Sequence, residues 1–292
     1  MPNLKEVRTR IASTQSTQQI TKAMKLVSAT KLRKGQQAIT KMRPYANKLN
    51  SILVNLADSA QSSDSLQKYF ASSEVKKALV LSVSSDRGLC GGFNSNIIKT
   101  TKQLVLEKYQ ADGVEVDVWF IGKKAYDVLK STDINADTRY MELFKELSAE
   151  TAFETAESVI QAFLNGEYDE VRMIYNEFKN AATQFVRAEK LLPVEMEKFD
   201  ESSSLSADYI FEPSKEGILT ELVPRAIKTR FYKNLLDSVA SEHGARMVAM
   251  DKATENASEL LDKLKLDYNK ARQAAITNEI LEIVGGAAAL EA

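Results

Sequence analysis

The chain has one cysteine, Cys90, and one histidine, His243. A single thiol excludes an intramolecular disulfide and any multi-cysteine zinc site, and fits a reducing compartment; a single imidazole removes histidine-based metal clusters. Proline (5) and glycine (11) are scarce in 292 residues, a helix-rich balance. No stretch approaches the roughly 18 apolar residues of a membrane span. The start, Met1-Pro2-Asn3-Leu4-Lys5-Glu6-Val7-Arg8, lacks the apolar core of a secretory leader. A soluble protein made in the cytoplasm is expected, held at any membrane by something else. Excess charge is missing too: 39 Lys+Arg against 40 Asp+Glu leave a net charge of -1. That argues against a protein that coats nucleic acid and makes any electrostatic interaction local.

What is present suffices for a folded core, with 44% hydrophobic residues and a length that corresponds to about two folding units. In the N-terminal part Leu4, Val7 and Ile11 recur at spacings of three and four, as do Ile39, Met42, Ala46, Leu49, Leu53 and Leu56. This is a coiled-coil seam, which Ile20, Met24 and Val27 are expected to continue. A helix from about residue 3 to 57 would be about 80 Å long. Pro44 predicts a kink or one lost hydrogen bond rather than a stop, because the heptad phase survives beyond it. At the other end Met247, Met250, Thr254, Ala257, Leu261, Leu264, Tyr268, Ala271 and Ala275 alternate spacings of three and four without a skip. Two such segments in one chain most simply pair with each other as an antiparallel coiled coil; pairing with another subunit is the alternative.

The middle reads differently. Residues 78–83, 116–121 and 170–175 are apolar strand candidates, and helical spacing covers 94–110, about 122–131 and 149–165. The order strand, helix, strand, helix, helix, strand predicts a parallel-rich, Rossmann-like α/β sheet. Lys190 to Glu195 reads as an edge strand because of Pro193. The serine-rich stretches 59–65 and 202–206 are the expected linkers. The fold class is therefore α/β plus a long antiparallel coiled coil, with parts at 1–58, 75–200 and 213–292.

Little of the chain suits catalysis. Asp86-Arg87-Gly88-Leu89-Cys90-Gly91-Gly92-Phe93-Asn94 sits between a strand and a helix, where an α/β fold places a phosphate loop. It matches neither G-x-x-x-x-G-K-[ST] nor G-x-G-x-x-G, and no lysine stands where a phosphate loop needs one. A tight turn packed closely against a neighbour is the plainer reading. Cys90 has no nearby base, and Ser28-Ala29-Thr30-Lys31 matches S-x-x-K inside a heptad helix without its companion motifs. Lys5, Arg8, Arg10, Lys22, Lys25, Lys31, Arg33, Lys34, Lys41 and Arg43 face only Glu6 among acids, roughly +9 over the N-terminal helix. An acidic protein surface is the partner this favours over a merely solvated face; sparse aromatics weaken nucleic acid. Finally, Ile276 to Ala289 turns apolar on every side, which predicts burial in a socket of another protein. Two rival functions are an α/β enzyme that binds nucleotide through the glycine turn, and a basic coiled-coil adaptor for nucleic acid.

Four ordered blocks carry a resemblance: Ile20 to Arg33; Ser85 to Gly92; Ala245 to Met250 with Ala253 to Ala257; and Tyr268 to Ala289. The last fits I-T-x-E-x-x-E-x-x-x-G-A at Ile276, Thr277, Glu279, Glu282, Gly286 and Ala287. The chain resembles the gamma subunit of bacterial F-type ATP synthases over essentially its full length. That resemblance implies a non-catalytic rotor shaft without a cofactor, standing in a ring of three alpha and three beta subunits. Its foot binds the epsilon subunit and the membrane c-ring, and it couples proton flow to ATP synthesis or hydrolysis. It would lie peripherally, on the cytoplasmic face of the inner membrane. It further implies contacts with the beta subunit at Lys22, Met24, Lys25, Arg272 and Gln273, and an apolar tip at Ile276, Ile280, Ile283 and Val284 in the sleeve of the ring. Tyr209, Phe211 and Glu212 would lie in the foot near the c-ring. No thiol switch of the chloroplast kind is expected with Cys90 alone. Two departures from the family pattern are His243-Gly244, where alanines are common, and Asp251, where a lysine is common.

Overall fold

The computed structural model describes residues 4–55, 64–70, 74–194 and 215–291. In chain order the elements are α1 (Leu4–Asn55), α2 (Asp64–Phe70), β1 (Lys77–Val83), α3 (Phe93–Lys102) with a π-helical continuation (Gln103–Tyr109), β2 (Glu115–Ile121), α4 (Lys123–Leu129), β3 (Asn135–Asp137), a 3-10 turn (Leu143–Glu146), α5 (Ala149–Leu164), β4 (Glu170–Phe178), β5 (Gln184–Leu192) and α6 (Lys215–Glu291). They form two compact units, Met1–Ser28 with Met247–Ala292, and Ala29–Arg246.

In the first unit the two terminal helices pair within the chain. Leu4, Val7, Ile11, Thr14, Gln18, Thr21, Lys25 and Ser28 of α1 are buried or half-buried, at unbroken spacings of three and four. On α6, Met250, Ala257, Leu261 and Leu264 are buried, as the heptad reading expected. The Thr21 and Thr254 hydroxyls lie 2.8 Å apart, and Lys25 Nζ lies 2.5 Å from Asp251 Oδ1, so position rises on one helix as it falls on the other. The pairing is antiparallel. One expectation is corrected: Ile20 and Val27 do not continue the seam, being 60% and 57% exposed. The seam there is carried by Thr14, Gln18, Thr21, Lys25 and Ser28, polar or small residues that an apolar-period search passes over. Their hydroxyls remain bonded, Thr21 to the Gln18 carbonyl at 3.0 Å and Ser28 to that of Met24 at 2.8 Å.

In the second unit Leu32, Gly35, Ile39 and Leu49 are the buried positions of α1 among the described side chains. A Cβ on Gly35 would stand 3.3 Å from Ala240 Cβ, so α1 and α6 approach closely there. Pro44 lies inside α1, which continues past it as expected. Leu53, Leu56 and the serine-rich linkers lie outside the described side chains.

The sheet order is β3-β2-β1-β4-β5, parallel except for the antiparallel β4–β5 pair. β1 and β2 are buried along nearly their whole length, which is why their sequences read as continuous apolar runs. One face packs against α5 and against Leu219, Val223, Ile227, Phe231 and Leu235 of α6. The other packs against Ile97, Leu104, Val105, Ala125 and Leu129 of α3, its continuation and α4. The expected Rossmann-like layering is present. β5 is an edge strand, as expected, but it covers 184–192 and ends before Pro193; half-buried and exposed side chains alternate over its first residues, which hides them from a search for apolar runs. β3, only three residues long, is an addition to the expected order.

Candidate functional site

The crevice beyond the carboxyl ends of β1 and β4 lies where the strand order reverses, the usual ligand position in an α/β sheet. Here the chain fills it. Ser241 Oγ of α6 donates to the Asn176 carbonyl of β4 at 3.0 Å. Arg246 donates from Nη2 to the Arg87 carbonyl at 2.8 Å and the Gly88 carbonyl at 3.2 Å. The glycine turn therefore meets α6 through carbonyl acceptors, which repel a phosphate, and the cation that could attract one is already bound to them. Tight turn geometry is as expected: Gly91 has φ +56° and Leu89 φ +64°. The expected close packing of the glycines is not found, since a Cβ on Gly88 or Gly91 would meet open space; the neighbour touches the backbone instead. Close packing is found at other glycines: a Cβ on Gly244 would stand 3.2 Å from Ala181 Cα, and one on Gly122 2.0 Å from the Ser84 carbonyl oxygen.

The carboxylate beside this segment is paired rather than poised. Glu189 accepts from Tyr175 Oη at 2.8 Å, from Asn234 Nδ2 at 3.0 Å and from Arg230. Burial opposes its ionisation, but the Arg230 guanidinium and these bonds outweigh it and hold its pKa below the usual carboxylate range. His243 is lowered to about 4 by burial, with Arg246 and Lys31 adding repulsion. Cys90 is buried, which pushes its thiol pKa up, so it has none of the character of a nucleophile. A cleft of about 460 Å³ beside β2 and β3 is lined by Asp117, Asn135, Arg139 and Tyr168. Two of its carboxylates are occupied: Asp117 accepts from Tyr168 Oη at 2.7 Å and Asn135 Nδ2 at 2.5 Å, and Asp137 from Arg139 Nε at 2.8 Å. Among the described residues no cluster of three or more His, Cys, Asp or Glu could hold a metal ion, and no helix is long and apolar enough to cross a membrane.

The surface that remains is that of the helix pair. Lys22 is exposed and Met24 half-buried on α1, while Lys25 occupies a seam position and is paired with Asp251. Arg272 and Gln273 are exposed on α6. Ile276, Ile280, Ile283 and Val284 are all exposed, with Leu281 beside them; Ile283 reaches 72%. The structure thus brings Lys22, Met24 and Lys25 onto one stretch of α1 and the other six onto one stretch of α6, within the same unit. Tyr209, Phe211 and Glu212 lie outside the described residues. Ile20 and Val27 were not singled out as surface residues; carrying the Leu4-Val7-Ile11 phase forward unbroken would have placed them outward.

A pair of antiparallel terminal helices with an exposed apolar end, and an α/β unit whose ligand crevice is filled, are the features to set against known proteins. The ATP synthase family matches residues 3–290. The ATP synthase gamma chain of Cytophaga hutchinsonii is 54% identical over 99% of both chains. The chain belongs to the ATP synthase gamma family. The gamma chain of Geobacter metallireducens is 44% identical over the full length of both. Among solved structures, the central stalk/c-ring of Tetrahymena thermophila mitochondrial ATP synthase is similar at 26% identity and a TM-score of 0.56, over 80% of this chain and 99% of that one. A chain of the Euglena gracilis mitochondrial enzyme shares the fold at 20% identity and a TM-score of 0.64, covering 98% of this chain and 94% of that one. This gamma chain is a non-catalytic, membrane-associated subunit of an F-type ATP synthase, with the fold of a central stalk.

Proposed function

We propose that this gamma chain works as a rotating shaft, with residues 1–58 and 213–292 as the rod and 75–200 as the foot. The rod stands in the ring of three alpha and three beta subunits, and the foot carries the epsilon subunit and the c-ring at the cytoplasmic face of the inner membrane. Ion flow turns the c-ring, the shaft turns with it, and each rotor angle offers different contacts to each beta subunit. Only differential contact can move a conformational equilibrium. A shift from 1:99 to 99:1 takes about 5.5 kcal/mol. Two to four newly buried apolar side chains at about 1.5–3 kcal/mol each supply that.

The observation that carries this reading is the exposed apolar run Ile276, Ile280, Leu281, Ile283 and Val284 at the end of a paired helix. Such a run needs a sleeve from another protein. Arg272 and Gln273 below it, with Lys22, Met24 and Lys25 on α1, are the proposed contacts with beta. Tyr209, Phe211 and Glu212 are assigned to the foot beside the c-ring. Co-purification of the tagged chain, with mass spectrometry and an ATPase assay, tests the reading. One copy with three alpha and three beta subunits and ATPase activity is expected; a lone chain that binds nucleotide would overturn it.

A further inference from the structure

Arg246 is a buried cation whose donors are spent inside the chain. Its side chain is 9% exposed. Nη1 lies 2.6 Å from Glu242 Oε1 and 3.3 Å from His243 Nδ1, both one turn back on α6. Nη2 and Nε reach the carbonyls of Arg87 and Gly88. A planar guanidinium can hold a carboxylate and two carbonyls together, whereas an ammonium cannot keep that fork. The two carbonyls immediately precede Leu89, whose φ of +64° is one a leucine rarely adopts. A strained residue of this kind persists only where its surroundings over-determine it. Behind Leu89 the turn is also tied down, with Asn94 Nδ2 donating to Cys90 Sγ at 3.2 Å and Ser85 Oγ to the Arg87 carbonyl at 2.7 Å. The leucine side chain itself points out, 64% exposed.

We propose that Arg246 is a positioning residue that pins the Asp86–Gly92 turn to α6, so that sheet and helix turn as one body and Leu89 is presented at a fixed angle around that helix. The consequence for coupling rests on the shaft reading above; the pinning does not. Glu242 sets the guanidinium's orientation, and Ser241 and Gly244 seat the same helical segment on β4 and the loop after it.

Cys90, the only thiol of the chain, reports on the pin. Maleimide labelling of Cys90 in the full chain, read by mass, is compared for wild type, Arg246→Lys and Glu242→Gln, together with ions transported per ATP in the assembled complex. Arg246→Lys should speed labelling at least about tenfold, equivalent to about 1.4 kcal/mol, and lower ions per ATP while hydrolysis stays within about twofold. Glu242→Gln should shift both in the same direction by less. Unchanged labelling in Arg246→Lys would overturn the pin, and faster labelling with unchanged ions per ATP would overturn its role in coupling. A wild-type chain that fails to assemble with an ATPase would instead overturn the shaft reading, while the labelling rates still decide the pin.

Discussion

Lys25 of α1 and Asp251 of α6 face each other across the helix pair, ammonium nitrogen 2.5 Å from carboxylate oxygen. Asp251 is one of the two departures from the family pattern noted in the sequence, and its partner is a residue assigned there to contact with beta. The pair places an ionic layer next to the Thr21–Thr254 layer in a seam whose α1 side is otherwise polar or small over this stretch. Polar layers of this kind favour one register over its slipped alternatives.

Reversing Asp251 to lysine should therefore bring like charges together and destabilise the chain by at most about 1 kcal/mol, because the side chains are 38% and 59% exposed and water screens them. The double exchange Lys25→Asp with Asp251→Lys should restore most of the loss. A double-mutant cycle on thermal unfolding measures the coupling; zero coupling would leave the pair without an energetic role.

Ile20 and Val27 point away from the partner helix. Replacing either with lysine is expected to change the stability of the chain by no more than about 0.5 kcal/mol, yet to reduce ions transported per ATP more than ATP hydrolysis itself. Parallel assays of pumping and hydrolysis separate the two. Equal losses in both would place these side chains outside the rotor contact.

Ile283→Asp should likewise leave the isolated chain as stable as wild type, since the side chain is already exposed. In the complex it would put a charge into an apolar sleeve, and the yield of assembled, ATPase-active complex should fall several-fold without loss of activity per complex. Undiminished assembly would contradict burial of the tip.

His243 predicts a pH effect of definite sign. Its folded pKa, about 4, lies below the ordinary 6.5. The unfolded chain thus binds its proton first, and its contribution to stability is full above 6.5 and is lost as pH falls from 6.5 towards 4. Glu242, raised by burial against the pull of Arg246, acts in the opposite direction: its contribution is lost as pH rises from the ordinary 4.5 through its raised value. Lys31 of α1, Arg246 of α6 and Asp86 of the turn are the other charges acting on the pair. His243→Gln keeps an acceptor for Arg246 and removes only the imidazole, so melting temperatures at pH 6.5, 5 and 4 should fall less steeply than in wild type. An identical slope would mean that His243 is solvated.

The sheet was legible because β1, β2 and most of β4 are buried on both faces and spell it in unbroken apolar runs. The long helices were legible from heptads, except where Thr14 to Ser28 replace apolar seam residues and the eye is drawn to the outward Ile20 and Val27. The Asp86–Gly92 turn could be placed between strand and helix, but not what fills the crevice beside it. Arg246 lies 159 residues from Arg87, and nothing in local patterning joins them. The apolar tip was readable because an all-round apolar helix has no local explanation.

The shaft assignment is tested most directly by watching the chain turn. With a cysteine introduced at the exposed Lys108, a probe attached there, and the ring of the purified complex fixed to a surface, ATP should drive rotation of the probe in one direction. A probe that stays still while the same complexes hydrolyse ATP would contradict it.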